Sequence, residues 1–319
     1  MKLSNLFSRL FQPKVRDAGL IAVGLAAHGV YLAQVSLSGV MPCVLRCEYH
    51  EMGDVTSAAL EKLKRDAKLG DPLFTTVLAA GDYQFLMVEA PNVPVEELKT
   101  AVRWKVKDSL SYHVDDATID VLQIPASQYG AERNQSIYAV AASNVTIQRC
   151  ESLFEKAKFK LSVIDVPETA QRNIAALFEQ EDRALGLLAF DDSGGLITIT
   201  SGGELYFARR IEITLGQLQD ANETLRQQHR ERVELELRRS LDYFDRQYHQ
   251  LPLSRVMVSV TTQTELVAFL QANMDVSIEP LDLAQVMDIR AVPDLENSEF
   301  LAHILPTLGA ALREERRVL

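Results

Sequence analysis

Few residues in this chain are spaced for chemistry, and most of those have a plain structural reading. Asp191-Asp192-Ser193-Gly194-Gly195 has the composition of a hairpin turn. Short polar side chains there bond their own backbone, and the glycines accept positive φ. Glu96/Glu97 suit the first turn of a helix, where carboxylates complement the dipole, and Asp115/Asp116 lead into a strand. His113 beside Asp115, and Cys43 with Cys47, hold donor atoms that a metal would use, but a solvated loop and small buried hydrophobes explain them better. His229 and His249 fall on surface positions of a long helix. The sequence has no GxSxG, no HExxH, no Walker A motif and no GxGxxG opening a proper helix.

Bulk properties narrow the class further. The chain has 319 residues, 47% of them hydrophobic, and a formal net charge of -11. A core of one large or two medium domains is expected, and a nucleic-acid partner is not, because phosphate binding wants a positive field. Even the C-terminal Arg313, Arg316 and Arg317 are interrupted by Glu314 and Glu315. Three cysteines without paired spacing fit a reducing compartment. Gly19–Val35 lacks charge and invites a signal-anchor reading. It falls short of the ~20 apolar residues of a span, and two strands around a turn at Ala26–Gly29 are the alternative. Residues 1–11 put Leu3, Leu6, Phe7, Leu10 and Phe11 at helical spacing, a short amphipathic helix for a membrane surface, a partner or the domain itself.

Two regions share a plan. Leu20–Leu25, Val30–Leu37 and Pro42–His50 read as three strands, and Leu185–Phe190, Gly195–Thr200 and Glu204–Ile213 repeat the scheme about 165 residues later. Between them Phe74–Ala79 and Tyr83–Glu89 read as a strand pair, followed by a helix over Val95–Leu110, strands at Thr118–Ile124 and Ser136–Ala142, and a helix Val145–Lys158 capped by Ser143-Asn144. A strand over Lys160–Val166 and a helix opened by Pro167 follow. Beyond the second meander lie one or two amphipathic helices (Leu215–Tyr248), a strand Val256–Val260, a helix Glu265–Asn273, a strand Val276–Leu281 and a last helix Phe300–Leu312. The class is α/β. Trp104, the single Trp, flanks the apolar face of its helix, with core packing and a partner groove as its two readings.

Specific likeness begins at Ala90–Pro125. Glu96-Glu97-Leu98 and Ala101-Val102-Arg103-Trp104 resemble the signature of PilM-type pilus assembly proteins. Tyr138–Ser143, Ile164–Glu168, Ser240–Phe244 and Leu308–Arg313 fall in that family's order. The resemblance implies an actin-like, ribonuclease H-like (ASKHA) duplicated fold with an inserted α/β subdomain and a shortened second lobe. It divides the chain into 1–72 as the first core subdomain, 73–160 as the insert, 161–184 as a return to the first core, 185–298 as the second core, and 299–319 as a C-terminal helix. Length and the amphipathic start lean toward the MshI branch, associated with mannose-sensitive haemagglutinin (MSHA) pili.

The same resemblance sets expectations for chemistry. Its phosphate turns need an Asp for Mg²⁺ and glycines for close backbone approach. Here Ala22 stands in the Asp place of the first turn, with only Gly24 left, and Phe190 and Leu196 stand in the Asp and Thr places of the second, unless Asp191 or Asp192 substitutes. Thr261–Thr264 replaces the adenosine-side glycines. A degenerate nucleotide site at Gly24, Asp192, Ser193 and Gly194 is expected, with no ATPase activity, no resident cofactor or metal, and weak ATP/Mg²⁺ binding at most. The implied role is a cytoplasmic scaffold peripheral to the inner membrane that holds the tail of a PilN- or MshJ-like partner. Leu98, Val102, Arg103, Trp104 and Val106 are the candidate contacts, and the groove lies between the insert and the first core, walled by the helix Val95–Leu110 and the first-meander strands. A nucleotide-driven switch of the same fold and a GspL-like component of type II secretion are the alternatives; homo-oligomers are compatible with either.

Overall fold

The computed structural model describes residues 20–125 and 136–313. The amphipathic stretch expected at residues 1–11 lies outside them.

The first lobe opens as an antiparallel meander of β1 (Ile21–Ala26), β2 (Gly29–Ser36) and β3 (Cys43–Glu51). The uncharged run Gly19–Val35 thus supplies two core strands. No helix among the described residues is long and apolar enough to cross a membrane. Helix α1 (Ser57–Asp66) follows, its amino end closed by the Thr56 hydroxyl, which accepts from Ala59 N. Only Leu60 and Leu63 are buried along it, too weak a period to announce a helix in the sequence. The chain returns through β4 (Leu73–Val77), parallel to β1.

An inserted unit comes next: β5 (Tyr83–Glu89), α2 (Leu98–Val106), β6 (Ala117–Gln123) and β7 (Ser136–Ser143). The lobe resumes with α3 (Asn144–Lys156), capped by Ser143, then β8 (Lys160–Asp165) and α4 (Pro167–Ala175). The second lobe holds β9 (Ala184–Asp191), β10 (Gly194–Ser201), β11 (Glu204–Ile211), α5 (Leu215–Leu218), α6 (Glu223–Gln247), β12 (Leu253–Ser259), α7 (Leu266–Asn273), β13 (Ile278–Pro280) and α8 (Ser298–Ala311).

The expected pairing of Phe74–Ala79 with Tyr83–Glu89 does not form. Phe74, Thr75 and Thr76 are buried in succession, as in a strand covered on both faces, and β4 lies between β1 and β8. β5 pairs instead with β7. Residues 73–160 are therefore not one unit: β4 and α3 are layers of the first lobe, and the separate sheet runs only from Tyr83 to Ser143.

The two large sheets have matching strand orders, β3-β2-β1-β4-β8 and β11-β10-β9-β12-β13. Each meander precedes two parallel strands. Helices α1 and α3 cover the outer face of the first sheet around Leu32, Phe74 and Phe154. Helices α6 and α7 cover the second around Val233, Leu237, Val256 and Leu270. Helices α4 and α8 lie between the sheets, in a core that takes Ala22, Ala33 and Val44 from one and Leu185, Leu187 and Met257 from the other. At their contact a Cβ on Gly309 would stand 2.1 Å from the Ala170 carbonyl oxygen, so the residue must be glycine.

Candidate functional site

In open α/β sheets ligands gather at the carboxyl ends of the parallel strands. Here those ends carry both hairpin tips, the turn after β12 and the amino end of α4.

The first tip is closed by Ala26 opposite Gly29, and the second by Asp191 opposite Gly194. These pairs are counterparts in the repeated strand order. Ala22 lies four residues short of its tip, fully buried against the inter-sheet core. Ala26 therefore stands opposite Asp191 in the repeat, and neither Ala22 nor Ala26 has a carboxylate. Gly24 is explained by packing, since a Cβ there would lie 2.1 Å from Thr307 Oγ1 of α8. At the second tip the exposed Asp192 comes within 3.6 Å of His303 Nδ1. The carboxylate that lines the cleft is Asp191, the residue that the site Gly24, Asp192, Ser193 and Gly194 leaves out. Its Oδ1 accepts from Ser193 N (2.7 Å) and Ser193 Oγ (2.6 Å), so it caps its own turn. Gly194 has φ of 131°, a left-handed turn position. The sequence offers Asp191 and Asp192 alike as substitute carboxylates, and strand pairing places Asp191 at the closing position of the hairpin.

The cavity between Asp191, Gly194, Gln171, Arg210, Pro167 and Pro306 has a volume of about 20 Å³. That is room for roughly one water molecule, against ~300 Å³ or more for a ligand pocket. Side chains from across the cleft fill the rest. Gln171 Nε2 of α4 donates to Leu187 O (2.6 Å), Leu196 O (3.1 Å) and Thr198 Oγ1 (3.0 Å) of the second sheet. Glu168, 1% exposed, pairs with Arg210 Nη2 at 3.1 Å. Tyr83 OH donates to Glu168 Oε2 and accepts from Arg210 Nη2, both at 2.5 Å. α4, β5 and β11 are thereby tied at one point. Burial, then the charge of Glu168, pushes the Tyr83 phenol well above its ordinary range. Burial lowers the Arg210 value, but Tyr83 and Glu168 outweigh it and the guanidinium is held more firmly charged.

Beside the second tip, the turn after β12 is sealed as well. Thr264 Oγ1 donates to Thr261 O, and Arg230, 5% exposed, bonds Glu265 at 2.9 Å and also Glu223.

The inserted unit uses its apolar residues internally. Leu98, Val102 and Val106 pack on Ile137 and Ala139, so these three predicted partner contacts are core residues. Arg103 is half-buried and donates to Ala117 O (3.2 Å) and Val114 O (2.6 Å), fastening α2 to the strand lead-in. Trp104 alone of the five stands free, 67% exposed, against its core-packing reading. The opposite face of the sheet packs Phe85 and Tyr138 against Leu205 and Tyr206 of β11, so the unit bridges both lobes. Its first-lobe contacts are Leu78 after β4, Ile147 of α3, Ile164 of β8, Val166 and Glu168 of α4, and no first-meander residue joins the clusters it packs in. β8 is an edge strand, and along Leu161–Ile164 it forms with Glu151 and Glu155 of α3 an open groove of about 530 Å³.

No protein-family profile matches the chain, and no curated protein does. Solved structures do. The PilM-PilN type IV pilus biogenesis complex superposes with a TM-score of 0.73 at 18% identity, covering 94% of this chain and 99% of that one. A Bacteroides thetaiotaomicron protein described as having an actin-like ATPase fold gives 0.48 at 9% identity over 86% and 93% of the two chains. The cytoplasmic domain of EpsL, an inner-membrane component of the Vibrio cholerae type II secretion system, gives 0.42 at 15% identity over 65% and 76%. The last two are too loose to bear on the fold. With its repeated strand order and near-complete superposition, the chain shares the fold of its match in the PilM-PilN complex.

Proposed function

We propose that the chain is a non-enzymatic scaffold of a type IV pilus assembly complex that holds the extended cytoplasmic tail of an inner-membrane partner of the PilN type. The finer version is an MshI-like protein of an MSHA pilus with an MshJ-like partner. The observation that carries the reading is a contrast within one fold. The interlobe end, where an actin-like enzyme would hold nucleotide, is filled by Gln171, Glu168 and Arg210, and a groove along β8 next to the inserted unit is open. An edge strand offers unpaired backbone groups, and a peptide in extended form satisfies them while adjacent pockets read its side chains. One hairpin tip carries a carboxylate, Asp191. Without a second one at the Ala26 tip, Mg²⁺-triphosphate would lack half of its clamp.

Thermal melting of the whole chain with a synthetic partner tail and, separately, with Mg²⁺-ATP tests both halves. The scaffold predicts a shift with tail and none beyond about 2–3 °C with millimolar nucleotide. A shift with nucleotide alone would establish the switch instead.

A further inference from the structure

The basic residues of this acidic chain are unevenly placed. Lys62, Lys64, Arg65 and Lys68 lie on and just after α1, and Lys156, Lys158 and Lys160 lie between the end of α3 and β8. Four carboxylates accompany them: Glu61, Asp66, Asp71 and Glu155. Cations outnumber anions there, although across the whole chain 33 Lys and Arg face 44 Asp and Glu. Lys64 is committed to structure, bonding Asp71 (2.9 Å) and the Lys158 carbonyl (2.5 Å), and Lys158 meets Glu61 at 2.7 Å. Lys62, Arg65, Lys68, Lys156 and Lys160 are exposed to solvent.

Strand register places all of this at one end of the first sheet. Ile21 is opposite both Phe74 and Gln34, Leu73 is opposite Lys160, and Ser36 is opposite Cys43. The start of β1, the β2–β3 loop, the start of β4 and the start of β8 therefore share that end. Strand spacing of about 4.8 Å makes it roughly 20 Å across. It also exposes apolar side chains: Val40 and Met41 on the loop, and Leu73 at 47%. Cations near helix carboxyl ends are ordinary complements to the dipole. That account does not reach Lys68 and Lys160, which lie past the helix ends, or the exposed Val40, Met41 and Leu73.

We propose that this end of the first lobe is a docking face for an anionic phospholipid bilayer. Its lysines and arginines meet headgroup phosphates, and Val40, Met41 and Leu73 reach the interface. The inserted unit springs from the opposite end of the sheet, after Val77 and before Asn144. Lys158 and Lys160 also line the near end of the β8 groove, but Lys62, Arg65, Lys68 and Lys156 lie outside it, and the inference does not rest on the partner reading.

Co-sedimentation of the full chain with phosphatidylcholine vesicles, with and without phosphatidylglycerol, tests it. Binding only to the anionic vesicles, released by salt, is expected. The variant K62E/R65E/K156E, which spares Lys64, the groove-lining Lys158 and Lys160, and Lys68, whose φ is 52°, is expected to bind on the order of 100-fold more weakly, at ~1 kcal/mol per basic residue near the surface. Its melting temperature and tail-peptide binding stay unchanged. Equal sedimentation with uncharged vesicles, no binding to either, or undiminished binding by the variant overturns the proposal. Capture by polyglutamate in preference to the anionic vesicles also overturns it, in favour of an acidic polypeptide.

Discussion

The two lobes repeat one strand order but have diverged at the end where their hairpins meet. In the first, Ala26-Ala27-His28-Gly29 forms a tip without a carboxylate, and Gly24 behind it receives Thr307 of α8. In the second, Asp191-Asp192-Ser193-Gly194 keeps a polar tip, with Arg210 and Glu168 packed close by. One hairpin packs against α8, and beside the other a charged network crosses to α4 and β5. What both lobes retain is the contact that joins them, α4 against α8. The repeat thus extends to the strand order, while the chemistry at the two tips differs.

The strongest way to break that symmetry is at the helix contact. Gly309→Ala sets a methyl 2.1 Å from a backbone oxygen of α4, and neither helix can yield without moving a sheet. A loss of about 3 kcal/mol or more is expected, read as the urea midpoint of the whole chain. A change under about 1 kcal/mol would mean that the helices slide freely, and that the inter-sheet core does not set the spacing of the lobes.

Next in size is the charged network of the second lobe. Arg210→Met leaves Glu168 buried beside Tyr83 without its cation. Breaking a fully buried pair costs about 3–5 kcal/mol. Arg210 is about a third exposed, which admits water and brings the expected loss to about 2–3 kcal/mol. The same variant asks whether the network keeps the cleft closed. If it does, Arg210→Met gains a melting shift with Mg²⁺-ATP that the parent chain lacks.

The first hairpin should respond more mildly. Gly24→Ala meets the tip of a threonine side chain and not backbone, so about 1–2 kcal/mol is expected. Adding Thr307→Ala removes the clashing Oγ1 and should restore most of it. A double variant no better than the single would show that Gly24 is needed for something other than the seating of α8.

Both meanders were legible because each alternates apolar residues with Gly-bearing turns, and the strands of the second, Leu185–Phe190 and Gly195–Thr200, were placed to within about a residue of β9 and β10. The strand Phe74–Ala79 was legible as a strand but not in its partners, because a buried parallel strand carries no mark of whom it pairs with. The site was harder. Ala22 and Phe190 were each set in the carboxylate place by counting along a motif, and hairpin closure moves both assignments toward the tip. Leu98, Val102 and Val106 looked like a recognition face because apolar periodicity cannot tell a groove wall from a core face. The Tyr83–Glu168–Arg210 network was invisible, since its members lie far apart in sequence and only the fold brings them together.

The smallest effect is read through the tyrosines where the inserted unit meets the second lobe. Tyr83 loses its ordinary acidity chiefly by burial and then through Glu168, and Tyr138, Tyr206 and Tyr248 are likewise raised first by burial, Tyr248 to about 12. All four lie where the inserted unit meets α4, β11 or the end of α6. A phenol whose folded value is raised keeps its proton in the native state, so its contribution is fully present below the unfolded value of ~10 and is lost as pH climbs above it. Stability should therefore be level near pH 8 and fall between about pH 10 and 11, with the contact between the unit and the second lobe loosening first. Tyr83→Phe removes one linked proton and one bridging hydroxyl while the Arg210–Glu168 pair remains. It should cost about 1 kcal/mol near neutrality and give a shallower alkaline decline than the parent. Urea midpoints across that range decide the matter. Parallel curves for parent and variant would exclude Tyr83 as the linked group and leave the tyrosines around β11 to account for the slope.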